Sequence, residues 1–173
     1  KKVNVPVVLT REETSRLLDA LSDPHQLVAK LLYGCGLRIS EWLRLRVQDV
    51  DFAMNAVTVR SGKGDKDRIT TFPPSLREPL ETHLRQVKML HERDLADGFG
   101  SVYLPHALAR KYPNAGTDWR WQYVFPAKGR SKDSRSEAIR RHHLDPSPIN
   151  KALANGVRIA GIMKRVSAHT LRH

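Results

Sequence analysis

The 173-residue chain contains one cysteine, Cys35. A single thiol cannot close an internal disulfide, so a disulfide-stapled secreted scaffold is excluded. A zinc finger built on two or more thiolates is excluded with it. Long apolar runs are also missing, and nothing approaches the roughly 20 residues of a membrane span. The stretch after Lys1 and Lys2, residues 3–9, is too short for a signal sequence. Acidic residues are scarce: 18 Asp and Glu stand against 30 Lys and Arg, a formal charge of +12. The expectation is a soluble protein of a reducing compartment whose first partner to consider is a polyanion, nucleic acid being the commonest. A basic enzyme indifferent to nucleic acid is the alternative, and it predicts no steep fall of DNA affinity with salt. With 40% hydrophobic residues the chain can bury one sizeable core. Its length fits one domain, or one domain with an elaborate insertion.

Local signals place the elements. Thr10 and Glu13 make a T-x-x-E capping box, with Leu17, Leu18 and Leu21 as the apolar stripe that follows. Asp23-Pro24 predicts a second helix start, with Asp23 as cap. Leu27, Val28, Leu31 and Leu32 recur at helical spacing, which predicts a central core helix ended by Gly34 and Gly36. Residues 39–45 read as a short helix. The period then changes: residues 56–60 (AVTVR) and 68–72 (RITTF) are β-branched and alternating, around a charged glycine-rich tip. Residues 49–52 add a short third strand. Pro73-Pro74-Ser75 predicts a stop and a cap for a long helix over 76–97, closed by Gly98. Residues 99–136 are rich in Pro, Gly, Asn and aromatics, and read as an inserted subdomain with one short helix in 104–111. Ser147-Pro148 predicts the cap of a helix running to about residue 160, with Gly161 beyond it. A last helix begins near Ala168. The chain starts at Lys1 rather than Met and stops at His173 within that helix, so the expectation is a fragment. The fold class expected is mixed α/β, mainly helical, with a small antiparallel hairpin sheet.

Several constellations could carry chemistry, each with an alternative. Arg38, after a Gly-Cys-Gly-Leu turn and one turn ahead of Glu41, can grip a phosphate bidentately or pair with Glu41 on the surface. The tip Gly62-Lys63-Gly64-Asp65-Lys66-Asp67-Arg68 can neutralise a phosphate or supply a lysine general acid, or it is a solvated turn. It is no Walker A loop, because Gly64 follows Lys63 and no helix comes next. His169 and Arg172 share a face at helical spacing and suit acid–base work on a phosphodiester; alternatively they are a helix-start His and a solvent-facing Arg. Trp119-Arg120-Trp121-Gln122-Tyr123 can stack unpaired bases or form an aromatic minicore that closes the insertion. Arg140-Arg141-His142-His143 is a phosphate and base contact strip or a solvated edge. Zinc at His142 and His143 is disfavoured, since adjacent side chains rarely share one metal. Cys35, beside glycines, reads as a small core residue rather than a nucleophile.

In their order along the chain, these pieces resemble a known family. Gly36-Leu37-Arg38-Ile39-Ser40-Glu41, the hairpin with Lys63 and Arg68, and His169-Thr170-Leu171-Arg172-His173 resemble the catalytic domain of the tyrosine site-specific recombinases, the phage integrase superfamily. The resemblance covers essentially the whole chain. Ala109-Arg110-Lys111-Tyr112-Pro113-Asn114-Ala115, the 119–126 segment WRWQYVFP and Arg140-Arg141-His142-His143-Leu144 are similar to the insertion that characterises integron integrases.

The resemblance implies a reaction. A tyrosine attacks a DNA phosphodiester, forming a 3′-phosphotyrosyl link and freeing a 5′ hydroxyl, and a partner strand's 5′ hydroxyl reverses the step. No metal or nucleotide cofactor is implied, because the covalent bond conserves the phosphoester energy. By motif position Arg38 and Arg172 clamp the scissile phosphate, Lys63 protonates the leaving 5′ oxygen, His169 assists proton transfer and Glu41 supports the first arginine. Lys66, Arg68, Trp119, Trp121, Arg140, Arg141, His142 and His143 are the further residues expected on DNA. The partners implied are a folded single-stranded hairpin cassette site and a double-stranded integron site, handled by a homotetrameric synapse in the bacterial cytoplasm at the nucleoid. The family nucleophile follows the H-x-x-R box, and none of Tyr33, Tyr103, Tyr112 or Tyr123 has that place. The expectation is a chain that holds phosphate without cleaving it. A non-catalytic DNA-binding module, in which Arg38, Lys63 and Arg172 merely hold phosphates, is the competing reading.

Overall fold

The computed structural model describes residues 7–60 and 66–172. Helix α1 (Arg11–Asp19) begins as its capping box dictates: Thr10 Oγ1 accepts from the Glu13 amide at 3.1 Å, and the Glu13 carboxylate accepts from the Thr10 amide at 2.8 Å. Helix α2 (His25–Cys35) is the centre of the core, with Leu27, Val28, Leu31 and Leu32 buried. Its start differs from the sequence expectation. Pro24 is the N-cap and no side chain caps the helix, so Asp23 does not hold that position; the Asp23–Pro24 peptide is cis. Gly34 lies inside the helix rather than ending it. It sits where a Cβ would come within 2.8 Å of the Pro73 ring, which explains the absence of a side chain there. Gly36 ends the helix in the left-handed conformation, at φ 61°.

Helix α3 (Ile39–Leu43) follows, with Trp42 and Leu43 buried. Strands β1 (Val50–Asp51), β2 (Ala56–Val59) and β3 (Arg68–Thr71) form an antiparallel sheet in that order, with Val50 opposite Val57 and Val59 opposite Arg68. Val57 and Val59 face the core, and Thr70 Oγ1 donates to the Cys35 carbonyl, tying the sheet to the end of α2. A 3₁₀ turn (Pro74–Leu76) leads into α4 (Arg77–Ala96), whose N-cap is Leu76 without a side-chain cap, so Ser75 does not cap it. Helix α5 (His106–Lys111) and the strand pair β4 (Ser131–Lys132) and β5 (Ile139–Arg140) lie in or near the expected insertion.

Helix α6 (Pro146–Ile159) is capped by Asp145, which accepts from the Ser147 amide at 2.8 Å; Ser147 is thus the capped residue, not the cap. Ile149 and Leu153 of α6 pack on α1 near Leu17 and Leu21. Gly156 lets the two helices approach, since a Cβ there would come within 3.1 Å of Leu17 on α1 and 2.9 Å of Leu21 just beyond it. The chain after Ala168 forms a 3₁₀ turn (Thr170–Arg172) packed on α2, with Ala168 and Leu171 in the main core. Val102, Leu104 and Tyr123 make a second, smaller apolar cluster with Trp121 and Leu108 against it. The fold is mixed α/β and mainly helical, as expected. Among the described residues no helix is long and apolar enough to cross a membrane.

Candidate nucleic-acid interface

The site is built around a buried carboxylate. Glu41 sits in the first turn of α3, and its side chain is 2% exposed. Its Oε2 accepts from the Arg38 amide at 2.8 Å and its Oε1 from Arg38 Nη1 at 3.0 Å. Arg68, at the start of β3, adds a two-pronged pair: Nη1 to Oε1 at 2.7 Å and Nη2 to Oε2 at 2.9 Å. Arg38 and Arg68 are each about a third exposed, so one buried anion holds two guanidiniums at the surface. The Arg68 pair is the main reason that the Glu41 carboxyl is held down at about 2; burial opposes it, and the Arg38 amide adds to it. Of the alternatives posed for Arg38, the pairing with Glu41 is formed, and about a third of the Arg38 side chain stays exposed.

The second arginine of the family order stands at the other end of the chain. Arg172 is half-buried in the 3₁₀ turn that packs on α2, the helix whose end leads through Gly36 and Leu37 into Arg38. The turn is set locally: the Ser167 amide donates to Thr170 Oγ1 at 3.1 Å, and the Arg172 amide donates to the His169 carbonyl at 3.2 Å. Thr170 and Leu171 are buried, while His169 is exposed. Lys63 lies outside the described residues, between the exposed Arg60 and Lys66.

The basic and aromatic residues downstream divide by environment. Arg141 is engaged internally. Its Nε and Nη2 donate to Asp94 at 2.6 and 2.9 Å, and its Nη1 donates to the carbonyls of Ala127 and Lys128. These contacts fasten the 127–128 segment to α4, with the Nε and Nη2 donors aimed at a carboxylate that is itself buried. Arg140 pairs with Asp133, also buried, at 3.1 Å, and its buried Nε has no partner. Trp119 packs against the main core with its ring 5.9 Å from that of His91, and Trp121 packs against the second cluster; each keeps part of its surface. His142 is half-buried, and His143 lies edge-on to Tyr123 with ring centroids 5.3 Å apart. Lys66 is exposed.

Three residues have positions that no sequence signal marked. Arg46 reaches from the segment after α3 to the carbonyls of Trp121 (2.8 Å) and Tyr103 (3.0 Å), with its guanidinium 3.7 Å from the Tyr123 ring centre. His83 stacks on Phe125 and bonds the Val124 carbonyl at 2.8 Å, and burial lowers its pKa. His91 bonds the Thr117 carbonyl at 3.0 Å, and burial lowers its pKa too. In sequence these are charged or polar residues among others; only their contacts separate them.

Comparison with known proteins places the architecture. The phage integrase family model matches residues 7–173. A protein of Escherichia coli described as an integrase/recombinase is 46% identical over 169 residues, which is 98% of this chain and 50% of that protein. The crystal structure of XerA recombinase superposes with a TM-score of 0.61 at 26% identity, covering 98% of this chain and 49% of that one. The XerH site-specific recombinase, bound to palindromic difH substrate in a post-cleavage complex, superposes with a TM-score of 0.58 at 20% identity over 99% of this chain and 41% of its own, a likeness of fold alone. The chain spans about half the length of the relatives it matches. With a family match that runs from residue 7 to the last residue, and the fold to go with it, the chain belongs to the phage integrase family.

Proposed function

We propose that the protein to which this chain contributes carries out site-specific DNA recombination by strand cleavage and rejoining through a 3′-phosphotyrosyl intermediate. The observation that carries this is the Glu41 clamp: a buried carboxylate presenting Arg38 at a helix start, in a family whose reaction needs a guanidinium on the scissile phosphate. Arg38 and Arg172 stabilise the extra negative charge of the pentacoordinate phosphorus. Lys63 delivers a proton to the leaving 5′ oxygen, and His169 assists proton transfer. The nucleophile is a tyrosine outside these 173 residues. Two of the four tyrosines in the chain support that reading by their surroundings, since Tyr123 is buried under Arg46 and Tyr103 lies under Arg135.

The finer reading is an integron integrase. Residues 99–136 form the inserted subdomain, supported by the second apolar cluster. Trp119, Trp121, His142 and His143 contact the unpaired bases of a folded single-stranded site, while a double-stranded site is the other partner and the working assembly is a tetramer. That a 46%-identical relative is described as an integrase/recombinase supports DNA as the partner.

The test is equilibrium binding of the chain to DNA across a salt series. Each phosphate contact contributes about 0.9 to the slope of log affinity against log salt, so Arg38→Ala and Arg172→Ala should each lower the slope by about one. A salt-independent affinity overturns the reading. The same chain mixed with a suicide hairpin should give no covalent adduct on a denaturing gel; an adduct refutes the placement of the nucleophile.

A further inference from the structure

We propose that Arg46 is a positioning residue, holding Trp121 and its neighbours in register with Arg38; this rests on the reading of Trp121 as a DNA-contacting ring. The inference comes from what one guanidinium joins. Nη1 donates to the Trp121 carbonyl and Nη2 to the Tyr103 carbonyl, while the plane lies over Tyr123. Three chain segments therefore meet on one side chain: the stretch after α3, residues 101–104 and residues 119–124.

The backbone supports the same alignment. The Val47 amide donates to the Gln122 carbonyl at 3.0 Å, and the Val124 amide donates to the Leu45 carbonyl at 3.0 Å, bracketing an antiparallel bridge between Arg46 and Tyr123. On the other side, Arg46 is fixed to α3 by the core. Trp42, Leu43 and Leu45 are buried, and the Trp42 ring lies 4.6 Å from that of Phe125. The route from Arg38 to Trp121 is thus a short helix, a packed turn and one guanidinium.

The chemistry of the anchor argues for geometry over simple adhesion. The nearby carboxylate, Asp49, accepts from the Arg46 amide with one oxygen and from Arg60 with the other, leaving the Arg46 guanidinium to two carbonyls and a ring face. Keeping a cation there costs hydration, and burial lowers the Arg46 pKa. What the arrangement supplies in return is a planar fork that fixes two carbonyls and a ring at once, which a lysine ammonium cannot reproduce.

The experiment uses the chain labelled with 5-fluorotryptophan, with the Trp121 fluorine line assigned by its loss in Trp121→Phe. Arg46→Met should shift or broaden the Trp121 line and leave the Trp42 line in place; an unchanged Trp121 line overturns the proposal. Where Arg46→Met fails to fold, Arg46→Lys is read in the same way. The DNA arm compares a hairpin carrying an extrahelical base with the same hairpin lacking it. The preference for the first should fall about tenfold in Arg46→Met, the scale of one lost base stack. Plain-duplex affinity and its salt slope should be unchanged, since the phosphate contacts remain. Trp121→Ala should lose the same preference, and the double variant should lose no more; additive losses overturn the coupling. A wild-type chain without that preference refutes the functional reading of Trp121, while the fluorine spectra still decide the role of Arg46.

Discussion

Replacing Glu41 by Gln tests the centre of the site. The amide keeps the shape of the carboxylate and removes the charge on which Arg38 and Arg68 converge. One of its two ends becomes a donor that faces guanidinium donors. Holding the carboxyl at about 2 against an ordinary 4.5 corresponds to a stabilisation on the order of 3 kcal/mol at neutral pH. Breaking one side of a buried pair gives a similar figure, about 3–5 kcal/mol. The sign follows from a depressed folded-state pKa: the contribution is complete above about 4.5 and is lost as pH falls toward about 2. By pH 3.5, roughly 1.4 kcal/mol of it should be gone. The assay is urea unfolding of the wild type and Glu41→Gln from pH 7 to pH 3.5. The wild type should be the more stable by about 3 kcal/mol at pH 7, and the gap should narrow only below about 4.5. A gap under about 0.5 kcal/mol at pH 7, the size of an exposed pair, refutes the clamp. So does a gap that stays constant as the pH falls.

Two further perturbations separate internal work from DNA work. Arg141→Ala should destabilise the chain by about 3 kcal/mol, because buried Asp94 loses both of its short bonds, and should leave the salt slope of DNA binding unaltered; a slope lowered by about one would place Arg141 on a phosphate after all. Gly34→Ala should cost about 1–3 kcal/mol in thermal or urea unfolding, because the new methyl meets the Pro73 ring at 2.8 Å; an unchanged midpoint would show that the 3₁₀ turn gives way freely.

The sequence alone carried the elements whose causes lie within a few residues. The Thr10–Glu13 box, the β-branched runs at 56–59 and 68–71, and the helical spacing of Leu27, Val28, Leu31 and Leu32 are all local, and the box, the two strands and the core helix are all formed. Caps were legible only in part: Thr10 caps as expected, while Asp23 and Ser75 do not. At 145–148 two residues could cap, and Asp145 took the position assigned to Ser147; at 23–24 the cap is Pro24. For the site, Arg38 and Glu41 could be paired from their spacing, three residues apart on one helical turn.

What the sequence determined by itself, then, is a basic, mainly helical chain with one hairpin sheet and a set of arginines in a family order. Which arginine faces outward was decided by tertiary structure. Arg68 meets Glu41 across 27 residues, Arg141 meets Asp94 across 47 and Arg46 meets Trp121 across 75. A guanidinium has the same composition and local signal whether it waits for a phosphate or closes on a buried acceptor. The difference is made by folding, which brings a carboxylate or a carbonyl into a dry place where leaving it unpaired would be costly.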